Sequence, residues 1–184
     1  VHFPESPEAL HLARERLIFE ELYLIQCGLL ILRRESREKK KGVRHLGASR
    51  LSQQAREALP FALTPDQEKA WRDIRQDMEL AVPMRRLVQG DVGSGKTAVA
   101  LLALVKTVEN GFQGAFMAPT EILAHQHFDK FSELLKELPV RLLLLTGRLT
   151  KKEREAAQKA IEAHEADIVI GTHALIQEPV TFAS

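Results

Sequence analysis

The sequence predicts an α/β fold: a parallel sheet with helices on both faces, preceded by a long N-terminal helix. Three observations predict it. Short, almost unbroken apolar runs alternate with longer segments of helical periodicity in the C-terminal two thirds of the chain, the pattern of a parallel sheet buried on both sides. The stretch Gly90-Asp91-Val92-Gly93-Ser94-Gly95-Lys96-Thr97 has the spacing G-x-x-x-x-G-K-[ST], which joins a strand to a helix. Two boxes, Thr64 to Gln67 and Thr150 to Glu153, carry the reciprocal hydroxyl and carboxyl or amide groups that start helices.

Taken in order, Ser6-Pro7-Glu8 opens the long helix with a capping hydroxyl, a proline at the first helical position and an acid facing the dipole. It should run to about Lys40. Ile18, Leu22, Ile25, Leu29 and Leu32 form one stripe at helical spacing, and Phe19, Tyr23 and Leu30 widen it. A helix apolar over so much of its circumference must be covered on several sides. The rest of the chain is too small to cover it while completing its own core, so a neighbouring domain outside this chain is expected to do so. Mixed charge from Arg33 to Lys41 reads as a solvated helix end, and Gly42 and Gly47 loosen the connection. A short amphipathic helix is expected from Leu51 to Leu59. The division is therefore residues 1–50 as a helical linker and 51–184 as an α/β unit.

In that unit Thr64 caps a helix reaching about Leu80, with Pro65 at its first position. Strand Arg85–Gln89 leads into the glycine-rich loop, whose helix extends to about Asn110. Gln113–Met117 is a second strand followed by a helix over Thr120–Lys136. Val140–Leu145 is a third, followed by a helix from Thr150 to about Ala163. Asp167–Ile170 is a fourth, ending at Gly171-Thr172. Trp71 reads as core packing, while Met84 and Met117 flank or fill the sheet.

The chain of 184 residues has room for one ordinary domain plus an appendage. Hydrophobic residues at 45% and charged residues at 28% are those of a globular protein. A formal net charge of +1 carries no global signal for nucleic acid, so local patches and backbone N–H groups must bind it. The single cysteine, Cys27, excludes an internal disulfide and fits a reducing cytosol; among leucines it reads as a packed small hydrophobe. No apolar run has the length of a membrane span, and no basic-then-apolar export signal opens the chain. The sequence starts on Val1 and is expected to be part of something longer.

The chemistry concentrates at the carboxyl ends of the expected strands, where open parallel sheets collect ligands. In the glycine-rich loop, glycines allow successive N–H groups to face one cluster of phosphate oxygens, and the following helix adds unpaired donors and its positive end. Lys96 places an ammonium on the β/γ-phosphates, and the Thr97 hydroxyl can coordinate Mg²⁺. ATP with Mg²⁺ is the expected ligand. Ala118-Pro119-Thr120-Glu121, Thr146-Gly147-Arg148 and Gly171-Thr172-His173 each join a small or turn residue to a hydroxyl and a helix start. They offer donors to phosphates at little net charge. His125 and His127 sit two apart on a helix, a poor chelating spacing.

The segments FALTPDQ (Phe61 to Gln67), GDVGSGKT, APTEILAHQH (Ala118 to His127), LLTGRLTKKER (Leu144 to Arg154) and IGTHALIQEPVTF (Ile170 to Phe182) occur in this order. Together they resemble the first motor domain of RecG-type ATP-dependent DNA helicases of superfamily 2, and residues 1–32 are similar to the helical segment preceding that motor. The resemblance implies a RecA-like P-loop NTPase sheet, incomplete here. It also implies an N-terminal linker from an upstream DNA-binding wedge domain, and a second motor domain outside the chain. It assigns Phe61, Thr64 and Gln67 to adenine, and Gly90, Asp91, Val92, Gly93, Ser94, Gly95, Lys96 and Thr97 to the triphosphate and Mg²⁺. Pro119, Thr120, Glu121, Gly147, Arg148, Gly171, Thr172 and His173 would contact DNA. Glu121 is acidic, so its expected work is to stabilise its helix or position a neighbouring donor.

The implied activity is ATP-driven translocation on branched or double-stranded DNA in a bacterial cytosol or nucleoid. It would remodel stalled replication forks and branch-migrate Holliday junctions in recombination and repair. One departure stands out: no aspartate–glutamate pair occurs anywhere in the sequence, whereas hydrolysis in such motors uses one. The chain alone is therefore expected to bind ATP without useful turnover. A transcription-repair coupling motor is the near alternative. A small-molecule kinase on the same loop is the alternative of another class, lacking here an evident acceptor pocket and arginine lid.

Overall fold

The computed structural model describes residues 1–39, 42–46, 49–177 and 180–183. Lys40, Lys41 and Gly47, at the end of the expected charge run and linker, lie outside the described residues. The chain divides into two compact units, one of Val1–Val43 with Ala81–Pro83 and one of Arg44–Leu80 with Met84–Ser184.

The first unit is built on helix α1, Pro7–Lys39. The Ser6 hydroxyl accepts a bond from Ala9 N (3.1 Å), the cap expected from the sequence. The apolar stripe is uncovered: exposure runs from 54% at Leu29 to 66% at Phe19. Phe19 and Tyr23, one turn apart, stack with ring centroids 5.7 Å apart. Cys27 is half-buried. Gly42 N bonds to Ala81 O (2.9 Å), tying the helix exit to the 81–83 segment.

The second unit contains α2 (Arg50–Glu57), α3 (Pro65–Met78), α4 (Lys96–Glu109), β1 (Gly114–Met117), α5 (Glu121–Leu134), β2 (Leu142–Leu145), α6 (Lys151–Glu162), β3 (Ile168–Gly171) and α7 (Ala174–Gln177). The strands form a parallel sheet in the order β1-β3-β2. Gly114 and Leu142 both pair with Ile168, and Met117 and Leu145 both pair with Gly171. The three carboxyl ends therefore lie in one row. β3 is buried throughout, and its side chains alternate between two layers. Ile168 and Ile170 join Leu101, Leu102 and Val105 of α4 and Phe131 of α5. Val169 joins Ala157 and Ile161 of α6.

Both capping boxes form. Thr64 N donates to Gln67 Oε1 (2.9 Å) and Gln67 N to Thr64 Oγ1 (3.3 Å). Thr150 N donates to Glu153 Oε2 (2.8 Å) and Glu153 N to Thr150 Oγ1 (3.3 Å), and the bonds from Thr150 hold the Glu153 carboxyl below its usual range. Helix α2 starts differently. Ser49 makes no side-chain cap, and the Glu109 carboxylate at the end of α4 accepts from Leu51 N (2.6 Å) and Ser52 Oγ (2.8 Å) instead. Trp71 is 8% exposed and packs in the core of α3, α4 and α5, as the sequence predicts.

The expected strand Arg85–Gln89 is not a strand. Its backbone makes no hydrogen bond to β1, β2 or β3 among the described residues. A strand exists through its ladder, and here the three strands pair only with one another. The run is satisfied on one side: Val88 packs against the core, while Leu87 is 87% exposed. Arg86 turns to α3, its Nε 2.7 Å from Asp77 Oδ2. The sheet thus has three strands rather than four.

Besides the exposed Glu153, two groups that are at least partly buried make this unit acid-sensitive. On α5, His127 sits edge-on to Phe116 of β1, with centroids 4.8 Å apart. Burial, with Lys130 nearby, lowers its pKa from the usual 6.5. Burial pushes the Asp167 carboxyl up, but hydrogen bonds from Arg141 outweigh it and hold the pKa below 3.8. Those bonds come from Arg141 N (2.7 Å), Nε (3.0 Å) and Nη2 (2.7 Å). The unfolded chain binds the His127 proton more tightly than the fold does, so this contribution is present above pH 6.5 and lost below it. Asp167 acts further down, its stabilisation present above the unfolded value and lost as pH falls through the folded one. Thermal midpoints from about pH 8 to about pH 5 should fall on the acid side, and His127→Gln should flatten that decline. A parallel decline in the variant would remove His127 as the cause.

Candidate functional site

The glycine-rich loop turns through two left-handed glycines, Gly93 (φ 81°) and Gly95 (φ 79°). Gly95 is also the N-cap of α4. A side chain there would be strained and would strike the Gln67 amide. Asp91 Oδ1 accepts from Val92 N (2.7 Å), and Ser94 N donates to Asp91 O (3.2 Å), closing the turn. The Lys96 ammonium folds back across the loop and donates to Gly90 O (2.8 Å), Asp91 O (2.6 Å) and Ser94 Oγ (3.3 Å). These carbonyls hold the cation at the start of α4, where helix N–H groups also converge.

Gln67 connects the first turn of α3 to this loop. Its Oε1 completes the capping box with Thr64, while its Nε2 donates to Ser94 O (2.7 Å). One conformation of Gln67 serves both the cap and the loop. Each end of the amide keeps one further bonding position, a second N–H and a second lone pair. Phe61 is 45% exposed and, with Gly93, Gly95, Lys96 and Thr97, lines a cleft of about 220 Å³. Lys130 and Phe131 of α5 close its other wall. Lys130 was not legible in the sequence, because only tertiary packing brings α5 alongside the start of α4.

Among the described residues no group of three or more His, Cys, Asp or Glu side chains could hold a metal. The Thr97 hydroxyl in the cleft is a single hard oxygen ligand. It fits Mg²⁺ as one of two protein ligands beside substrate phosphates and water, the second in such sites being a carboxylate.

The strand-end loops form a second cleft, of about 260 Å³. Pro119, Thr120 and Glu121 enter it from the end of β1, Gly147 from β2, and Thr172 and His173 from β3. Gly171 ends β3 in register with Met117 and Leu145. Thr120 caps α5, its side chain accepting from Leu123 N (3.3 Å). Arg148 does not line the cleft wall but pairs with Glu121, Nε to Oε2 2.9 Å. Two polar lining residues escaped the sequence reading, Arg154 and Gln158 of α6, as did the apolar Leu145, Ala174 and Val180. Arg154 Nη2 donates to Gly147 O (3.3 Å). A cation one turn past the Thr150 cap was the available signal.

Residues 64–182 match the model of the DEAD/DEAH box helicase family. The chain is 46% identical over 171 residues to the ATP-dependent DNA helicase RecG of Aquifex aeolicus (strain VF5), covering 93% of this chain and 22% of that protein. It is 44% identical over 182 residues to RecG of Bacillus subtilis (strain 168), covering 99% and 27%. The chain thus spans about a quarter of the length of these relatives. It is also similar to the solved structure of RecG bound to a three-way DNA junction. That match has a TM-score of 0.87 at 45% identity, over 98% of this chain and 25% of the other. No helix among the described residues is long and apolar enough to cross a membrane.

Proposed function

The chain belongs to the DEAD/DEAH box helicase family, and from that premise we infer that it supplies part of the first motor domain of an ATP-driven double-stranded DNA translocase. The intact protein would act on stalled forks and Holliday junctions in a bacterial cytosol or nucleoid. The observation that carries this reading is the convergence of three strand-end loops into one cleft, alongside a complete phosphate loop at the start of α4. The likeness to RecG and to its junction-bound structure supports branched DNA as the partner.

In this reading Lys96 gives its ammonium to the β/γ-phosphates, exchanging the loop carbonyls for them. The backbone N–H groups of Gly93 to Thr97 surround the phosphates, and Thr97 ligates Mg²⁺. Bound Mg²⁺ neutralises phosphate charge. Phe61 offers a ring face to adenine, and Gln67 its spare donor and acceptor. Pro119, Thr120, Gly147, Arg148, Gly171, Thr172 and His173 meet the DNA backbone. That mode suits a chain of net charge +1, since neutral donors position phosphates without bulk charge. Residues 1–50 serve as the link to an upstream wedge domain, supported by the uncovered stripe of α1. A second motor domain would close over the nucleotide.

The chain itself is proposed to bind ATP without useful turnover, since it contributes a phosphate loop and no aspartate–glutamate pair. Calorimetry with Mg·ATP and steady-state phosphate release, each with and without a junction oligonucleotide, test the reading together. Binding without DNA-stimulated release is expected. DNA-stimulated release that disappears in Lys96→Ala would overturn the inactive-fragment reading. Indifference to millimolar Mg·ATP would overturn the motor reading.

A further inference from the structure

An acid among phosphate-binding loops needs an explanation of its own, and Glu121 has one in its partner. We propose that Glu121 is a positioning residue, an exchangeable counter-ion for Arg148. It holds the guanidinium while no DNA is bound and surrenders it to a backbone phosphate. The inference rests on the DNA-binding reading of the strand-end cleft.

The two members of the pair differ in freedom. The Glu121 side chain is 27% exposed and that of Arg148 is 83% exposed, so the carboxylate is the fixed member and the guanidinium the mobile one. Glu121 is the first residue of α5, where the helix dipole favours a negative charge. Its Oε2 takes Arg148 Nε at 2.9 Å. Its Oε1 lies against Gly147, where an added Cβ would stand 2.9 Å away. Glycine at 147 therefore admits the carboxylate between the start of α5 and the loop after β2. The other polar side chains lining the cleft are those of Thr120, Arg154, Gln158, Thr172 and His173, so among the described residues Glu121 is the acid of the cleft wall. A pair this exposed contributes little in water. Exchange of a carboxylate for a phosphate is then close to balanced: the loop orients on DNA without holding it tightly, as a translocating contact requires.

The test uses the 184-residue chain and a short fluorescently labelled duplex titrated across a salt series. Glu121→Gln should tighten duplex binding by about two- to five-fold, the range of an exposed ion pair. The slope of log affinity against log salt should stay as it is, because Arg148 neutralises one phosphate in both proteins, whereas Arg148→Ala should reduce it by about 0.9. Glu121→Asp, which keeps the charge at the helix start but withdraws the carboxylate from Arg148 by one methylene, should fall between wild type and Glu121→Gln. In an Arg148→Ala background both changes should lose their effect. If Arg148→Ala weakens binding but neither Glu121 variant strengthens it, the exchange is overturned and the DNA-binding reading stands. If Arg148→Ala leaves duplex binding unchanged with an unaltered melting curve, or the chain ignores the duplex, both are overturned.

Discussion

Lys96→Ala is expected to weaken Mg·ATP binding by roughly 10- to 100-fold with little change in thermal stability. Among the described residues the ammonium's hydrogen bonds go to the loop alone, to Gly90 O, Asp91 O and Ser94 Oγ. A hydrogen bond from a charged donor contributes about 1.5–3 kcal/mol, which converts to roughly one to two powers of ten in affinity. Isothermal titration calorimetry reads the loss directly. Lys96→Arg should recover little of it, since a planar fork does not replace a compact ammonium among loop carbonyls. An unchanged dissociation constant would place the triphosphate elsewhere.

Phe131→Ala is expected to cost about 3–5 kcal/mol of unfolding free energy, the range for deleting a buried aromatic ring. Phe131 is fully buried and meets Phe116 edge-on, with ring centroids 5.3 Å apart at 72°. It links α5 to the strand whose end carries Pro119 and Thr120, so little around it can collapse into the space. With total stability of about 5–15 kcal/mol, the variant should melt roughly 6–20 °C lower. Urea denaturation measures the difference, and Phe131→Leu should restore a large part of it. A loss below about 1 kcal/mol would mean that the core is looser than its burial indicates.

What the sequence disclosed follows the range of the interactions involved. The boxes at Thr64–Gln67 and Thr150–Glu153 close within one helical turn, so composition and spacing are enough to read them. The apolar run after Thr97 likewise announced α4, and Trp71 was recognisable as core. Strand order was not legible, because nothing in a strand records its neighbour; β3 lies between β1 and β2. The run Arg85–Gln89 has strand composition without a ladder, which only the assembled sheet reveals. Glu109 caps α2 across 58 positions of chain, and no local pattern predicts such a partner. In the site, the phosphate loop and strand-end loops were visible as motifs. Lys130, Arg154 and Gln158 enter from helices whose facing depends on packing. The pairing of Glu121 with Arg148 joins two motifs that the sequence could only treat separately.

Helix α5 borders both clefts. Its capping residue and first residue, Thr120 and Glu121, stand in the strand-end cleft, while Lys130, Phe131 and Leu134 stand beside the phosphate loop. Fourteen residues make a rod about 20 Å long, stiffened through Phe131 by the aromatic packing on β1. A tilt imposed at one tip must therefore reappear at the other as a lever reappears across its fulcrum, so the two clefts share a single mechanical part.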